Sequence, residues 1–479
     1  MNILSSYLKK SPLIKAFSHD SDYPLKAFGL DGVPLLSAAG ALLQSSRISG
    51  NLFLVCPTDE TAKQLYSDSK AAIPAVPTVY FPSNSRLFYS DFEGTAAEMV
   101  QVKSLRTILD SKRLLVIISL RAFVSRLPSR EMVDAQAISI QVGKQFDPAA
   151  LAAKLTESGY ARTTSTSMPG EFSIRGEVAD VFPMDETDPV RIFTEWNTVD
   201  RIASYDPLTQ QTVKEIKGFR IPLVHAQKLA EMGTIKSYLS PDDYFIFDGA
   251  SRLSSSCKSL QNEAKSLYRK AYLENRECLK PSEVLLDFPV FLRGTSRMLS
   301  VLDLDEKDSS IFRFSLEGPR SYFGNFTFLK GDLEGLLKSG WSVTVFASSE
   351  VQKTRLSQML VMFPEIKYEV GLISGGFGIP ECKHIVISDG EIFGRRKQIV
   401  KTISQTQSTP LDSFVELNEG DYVVHVNYGI GRFIKIDRVR ERDYIKIQYS
   451  GDEVLYVPIE QANLVQRYIG SAGSAPHVD

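Results

Sequence analysis

The sequence predicts a multidomain α/β protein with an inserted α+β adaptor domain and a small all-β module near its C-terminal end. Three observations predict it. Compact apolar runs at Asn51–Cys56 and Leu114–Ile118 are separated by helical stretches, the pattern of strands covered on both faces in a crossover-connected parallel sheet. The pattern turns strand-rich over 133–222. Short strands with polar turns fill Gly420–Tyr468.

Taken in order, residues 1–132 read as the first part of an α/β domain, with Ala62–Lys70 and Ala96–Asp110 as helices between its strands. Residues 133–222 carry strand patterns at Ile138–Val142, Phe172–Ile174, Val178–Phe182 and Val190–Phe193. A helix is expected over Asp147–Ser158, because Asp147 suits the N-cap and Pro148 the first helical position. Residues 223–312 read as mainly helical and polar, a second part of the first domain. Residues 313–400 return to α/β, with strands at Trp341–Phe346 and His384–Ser388. A Ser/Thr/Gln-rich linker is expected over 401–413, the β-module over 414–470 and a tail over 471–479.

In the β-module, Val424, Val426 and Tyr428 alternate with His425 and Asn427, as in a half-buried strand. Gly429, Gly431 and Pro458 are expected to shape turns, glycine because it bends without a Cβ penalty. Such a curled sheet fits a small barrel of the Tudor/SH3 kind. It has no room for a catalytic cleft, but its edge can accept another chain's strand. On pattern alone, the segment reads equally as a stable all-β module without that role.

Composition narrows the classes. The chain has 479 residues, enough for several domains, and its 43% hydrophobic content supports real cores. The net charge of −2 excludes a basic surface spanning the whole chain, though not a local patch. Cys56, Cys257, Cys278 and Cys382 are scattered, with no Cys-x-x-Cys and no paired histidines. That argues against a disulfide framework and a zinc site, and fits a cytoplasmic protein. No secretory leader or membrane span is expected.

Two segments carry a family resemblance. Gly420–Val426, Gly429–Phe433 and Leu455-Tyr456-Val457-Pro458 resemble the RNA polymerase-interacting module of the bacterial transcription-repair coupling factor (Mfd) family, which is related to CarD-type regulators. Pro169–Gly176 with Val178–Pro183 is similar to the domain shared by UvrB and that family, which binds UvrA. Two matches in the family's order are more specific than either alone. The resemblance implies a UvrB-like α/β body with a degenerate nucleotide-binding fold, an inserted adaptor domain and a CarD-like module. The family's ATP-driven, double-stranded DNA translocase lies C-terminal to that module, and this sequence ends before it. ATP and magnesium are therefore expected for the motor and no cofactor for this chain, which is expected not to be an enzyme.

The motif search agrees. No Gly-x4-Gly-Lys-Ser/Thr occurs. Ser37–Ala41 stands at the expected loop without its lysine, and Gly143-Lys144-Gln145 and Gly375–Gly378 are incomplete. Asp389 and Glu391 end an apolar strand and read either as a magnesium-holding pair or, without a phosphate loop, as acids at a strand end. Asp242-Asp243 reads as a strand-entry turn. None of the five histidines stands in a triad context.

The resemblance assigns UvrA binding to Arg162, Phe172 and Arg175, with Ser173 where UvrB carries a further arginine and Gly176 as a turn residue. Arginine suits the task because its planar fork holds carboxylates. It also implies an edge strand near Phe433–Val439 that pairs with the RNA polymerase β subunit, placing Phe433, Ile434, Lys435, Ile436, Arg438 and Val439 at the contact. The basic run of Arg432, Lys435, Arg438, Arg440 and Arg442 also reads as a nucleic-acid patch or a solvated face. The expected function is to hold a stalled polymerase and recruit UvrA for nucleotide excision repair. The alternatives are a CarD-like regulator without a repair role and a UvrB-type excision helicase.

Overall fold

A computed structural model describes residues 7–17, 23–45, 47–83, 88–93, 95–134, 138–184, 186, 188–207, 209–221, 227–274, 278–295, 297–318, 320–394, 422–425, 429–439, 442–449, 454–458 and 465–467. The chain forms two compact units, Met1–Arg396 and Lys397–Asp479. The expected linker 401–413 and tail 471–479 lie outside the described residues.

The first unit begins with β1 (Leu25–Phe28), β2 (Leu52–Cys56), β3 (Thr78–Phe81) and β4 (Leu115–Ser119). Every residue of β2 and β4 is buried, as expected for strands covered on both faces. The helix Asp59–Ala72 starts where Thr58 Oγ1 accepts from Thr61 N, and the helix Ala96–Asp110 where Glu98 accepts from Thr95 N at 2.8 Å.

The adaptor follows as β5 (Ile138–Gln141), β6 (Ala161–Arg162), β7 (Glu171–Arg175), β8 (Val178–Val181), β9 (Val190–Glu195), β10 (Thr198–Tyr205), β11 (Thr212–Ile216) and β12 (Gly218–Ile221). Six strands form one sheet in the order β11-β10-β9-β8-β7-β6, while β12 pairs with β5. The helix Pro148–Glu157 starts where Asp147 Oδ1 accepts from Ala149 N and Ala150 N. Its Leu151 and Leu155 join Phe172, Ile192 and Ile202 in the adaptor core.

The chain then returns to the first sheet with β13 (Tyr244–Phe247), β14 (Met298–Leu302) and β15 (Phe312–Arg313). The parallel order is β15-β1-β14-β13-β2-β4-β3. Residues 223–312 are mainly helical, as expected, but not wholly so. They contain the 24-residue helix Ala250–Leu273, but they also supply two central strands. Those strands are short apolar runs without a period, and the long polar helix between them dominates the sequence pattern.

A further sheet holds β16 (Ser342–Ala347), β17 (Lys367–Val370), β18 (Phe377–Ile379) and β19 (His384–Ser388), in the order β17-β16-β19-β18. Phe346, Ile373, Phe377, Ile379 and Val386 share a hydrophobic cluster with Leu35, Leu54 and Ile117, so this domain and the first sheet are packed together.

The second unit contains β20 (Tyr422–His425), β21 (Gly429–Val439), β22 (Arg442–Gln448), β23 (Val454–Pro458) and β24 (Val465–Arg467). They form an antiparallel sheet in the order β23-β22-β21-β20-β24. Val423, Phe433, Ile445, Ile447 and Val457 make its core. In β20 Val423 is buried, while the side chains of Val424 and His425, and residues Val426 to Tyr428, lie outside the described residues. No helix among the described residues is long and apolar enough to cross a membrane.

Candidate partner-binding surfaces

In the adaptor, the hairpin β7–β8 turns at Gly176, which has φ +59 and so favours glycine. Strand alternation sends β7 residues to opposite faces. Phe172 points into the core and is fully buried, so it offers nothing to a partner. The resemblance assigns Phe172 to the UvrA contact, but its side chain packs in the adaptor core with Leu151 and Leu155.

Ser173 faces the other way and is also buried, where it accepts a hydrogen bond from Thr166 Oγ1 at 3.3 Å. A residue so enclosed cannot serve as the family's further arginine contact.

Arg175 remains half in solvent. Its Nη2 donates to Asp180 Oδ2 at 2.7 Å. Asp180 is only 1% exposed and also receives Arg191 Nε at 2.7 Å and Arg191 Nη2 at 3.0 Å. The Arg191 guanidinium lies 4.3 Å from the centre of the Tyr205 ring. The hydrogen bond to Asp180 raises the Arg191 pKa, and burial pushes that of Tyr205 up to about 12. One buried carboxylate thus braces two arginines, so Arg175 is displayed in a fixed direction.

Arg162 is exposed on β6 and has no ion pair among the described residues. It pairs in register with Phe172, three positions back from Arg175. Arg162 thus shares the face of Phe172, and Arg175 that of Asp180 and Arg191. Asp180 and Arg191 escaped notice in the sequence, although Arg191 alternates with Val190 and Ile192 as an outward strand residue should.

In the β-module, Phe433 is buried and belongs to the core, contrary to its expected place at a polymerase contact. Ile434 is half-buried, while Lys435 and Ile436 are exposed. Arg438 and Val439 lie in β21, and their side chains are outside the described residues.

Gly429 and Gly431 are also corrected. They pair with His425 and Val423 inside the ladder and do not form a turn. Gly431 is needed for packing, since a Cβ would meet Ile447 Cγ2 at 2.5 Å. Pro458 ends β23 opposite Tyr444, at a sheet edge where a missing N–H is tolerated. Arg432 and Lys435 are exposed, and Lys446 Nζ lies 5.6 Å from the Tyr456 ring centre. Arg440 lies outside the described residues, as does the side chain of Arg442.

Ser37–Ala41, the expected position of a phosphate loop, lies inside the helix Gly32–Gln44. The strand-to-helix connection is Gly29-Leu30-Asp31-Gly32. Asp31 Oδ1 accepts from Gly32 N at 2.9 Å, so a carboxylate stands where a phosphate would lie at the helix start.

At the carboxyl ends of the adjacent strands, Arg252 Nε donates to Asp303 Oδ1 at 2.6 Å and Arg252 Nη2 to Asp248 Oδ1 at 3.0 Å. Burial holds Asp248 up at about pKa 6, against the opposing pull of Arg252. Asp303 and Asp248 around Arg252, with the charge of Asp31 nearby, disfavour a nucleotide's phosphates.

The other acidic candidates are structural. Glu391 accepts from Ser388 N and Gly376 N, Asp389 from Ser348 N, and Asp243 from Asn51 N and Ser240 N. Among the described residues, no group of three or more His, Cys, Asp or Glu side chains could hold a metal ion.

Comparison with known proteins matches this geometry. The UvrB interaction domain family matches residues 138–224, and the CarD-like/TRCF RID domain family matches 417–469. The transcription-repair-coupling factor of Borreliella burgdorferi is 27% identical over 398 residues, covering 74% of this chain and 35% of the relative. That of Bacillus subtilis is 24% identical, covering 99% of this chain and 48% of the relative. That of Staphylococcus aureus is 24% identical, covering 79% of this chain and 40% of the relative. The chain therefore spans less than half the length of these curated relatives. The chain is similar to the transcription-repair-coupling factors over most of its length and matches the UvrB interaction domain and CarD-like/TRCF RID domain families, in that order.

Proposed function

We propose that this chain recruits UvrA to a stalled RNA polymerase, with the adaptor binding UvrA and the β-module binding the polymerase β subunit. The observation that carries the reading is the match of two partner-binding families to two separate folded units. Arg175, braced on Asp180 and open to solvent, supports the first contact.

For the second contact, the described residues of β20 pair with the stretch 429–432 of β21. Among the described strands, 433–439 has β22 on one side alone, which leaves backbone groups for an added strand. Lys435 and Ile436 would flank that added strand, and the charge on Lys435 also discourages self-pairing of the edge. Closure of the sheet into a small SH3-like barrel belongs to the same proposal.

ATP, magnesium and the pushing of polymerase along double-stranded DNA are assigned to a motor outside these residues, acting in the cytoplasm. Residues 1–479 then bind partners without turning over nucleotide.

The test is binding of the purified chain to RNA polymerase core, with and without residues 411–479, and to UvrA. Loss of polymerase binding on deletion, with UvrA binding kept, supports the reading. Polymerase binding without any UvrA binding would favour a CarD-like regulator and overturn it.

A further inference from the structure

The outer face of the adaptor sheet carries a row of side chains that the fold does not bury. Register sets Arg175 beside Val178, Val178 beside Phe193 and Phe193 beside Arg201. Val178 and Phe193 are half-buried, and the flanking arginines are exposed. The Arg201 guanidinium lies over the Phe193 ring, 4.1 Å from its centre.

Past this row, the β9–β10 hairpin continues to a two-residue turn, Trp196-Asn197. That turn and the Gly176-Glu177 turn lie at the same end of the sheet, since Thr194 N and Oγ1 both donate to Glu177 O, at 2.8 and 2.9 Å.

Two features distinguish Trp196 from a scattered surface hydrophobe. Trp196 and Asn197 both have left-handed backbones, with φ +49 and +61. Such turns favour Asn-Gly, because a large side chain on a left-handed residue is strained. A tryptophan gives up that advantage and, at 89% exposure, returns almost no packing to the fold. The hairpin is also held firmly, since Phe146 N donates to Asn197 O at 2.8 Å and Gln145 bridges to Thr198. A large ring on a braced turn loses little freedom on binding. Tryptophan and arginine are the residues that most often concentrate interface energy.

We propose that Trp196 is the apolar anchor of the adaptor's partner surface, seated in a pocket of UvrA while Arg175 meets a carboxylate at the pocket's rim. The proposal rests on the reading of the adaptor as a UvrA-binding domain. The chemistry defines the occupant. The indole N–H and the guanidinium only donate hydrogen bonds, so the pocket must supply acceptors around an apolar floor. The exposed Glu177 and Glu195 beside the turn repel phosphates and make this a protein-binding and not a nucleic-acid-binding face.

The experiment is calorimetric titration of UvrA into the full chain and into Trp196→Ala, Trp196→Asn and Arg175→Ala, with a thermal unfolding midpoint for each. The expected result is binding at least tenfold weaker for both Trp196 variants, with the midpoint of Trp196→Asn unchanged or raised, since Asn suits the turn. Polymerase binding is expected to be unaltered. Trp196→Asn within twofold of the parent, with Arg175→Ala weakened, overturns this inference and leaves the UvrA reading standing. No UvrA binding by the parent overturns both.

Discussion

Asp180 decides how Arg175 can act. Its buried carboxylate is shared by Arg175 and Arg191, so removing one arginine leaves the other in place. Arg175→Ala should therefore cost little stability and act mainly on partner affinity. Asp180→Ala is different, because it leaves Arg191 over Tyr205 without its counter-charge. Loss of about 3 kcal/mol is expected, read by denaturant unfolding of the adaptor transition.

Asp248 gives a pH signature at the same scale. Burial raises its pKa from 3.8 to about 6 in the folded chain. Below pH 4 both folded and unfolded chains hold the proton, and the group contributes nothing. Between about pH 4 and 6 only the unfolded chain releases it, so the folded state binds more protons and stability falls as pH rises. Above pH 6 the full penalty applies, on the order of 3 kcal/mol. Asp248→Asn should remove it. The variant's advantage in unfolding midpoint should grow from pH 4 to 6.5 and then level off, whereas a constant difference would contradict the assignment.

At the scale of elements, the loop Gly29–Gly32 and the strand β21 carry the functional contrast. The loop has the strand-to-helix placement of a phosphate cradle, but Asp31 occupies it with negative charge. Isothermal titration with magnesium-ATP should show no binding at micromolar concentrations. Gly431 tests the packing of β21: Gly431→Ala pushes a methyl into Ile447 and should cost about 1–3 kcal/mol in the unfolding of the β-module.

These elements also show what the sequence makes legible. Asn51–Cys56 and Leu114–Ile118 announce buried parallel strands because both faces demand apolar side chains. Asp147-Pro148 announces a helix start because the cap chemistry is local. Phe172 and Phe433 mislead, since a strand's sequence shows the residue type but not which face another element covers. The strand-entry turn Asp242-Asp243 announces β13, but the central strand β14 is hidden in the same way. Its neighbours in the sheet lie far away in sequence, and the adaptor interrupts the run. The Asp180 clamp was unreadable because its three members come from three strands. Trp196 stood in plain view, but its exposure depends on a left-handed turn that no Asn-Gly or Gly signal marks.

At the scale of the whole molecule, the two units match two different domain families, and residues 395–421 connect what is described of one to what is described of the other. In the proposed function both partners are held by one chain, which would convert the second encounter into an intramolecular one. Each arm should fail separately. Deletion of 411–479 should release polymerase and leave UvrA binding, whereas Arg175→Ala should do the reverse. The most direct measurement is retention of UvrA on immobilised RNA polymerase core in the presence of this chain. UvrA should be retained with the intact chain, and lost with the deletion or with Arg175→Ala. Polymerase that holds the chain but never UvrA, at concentrations where the chain alone binds UvrA, would contradict the bridging function.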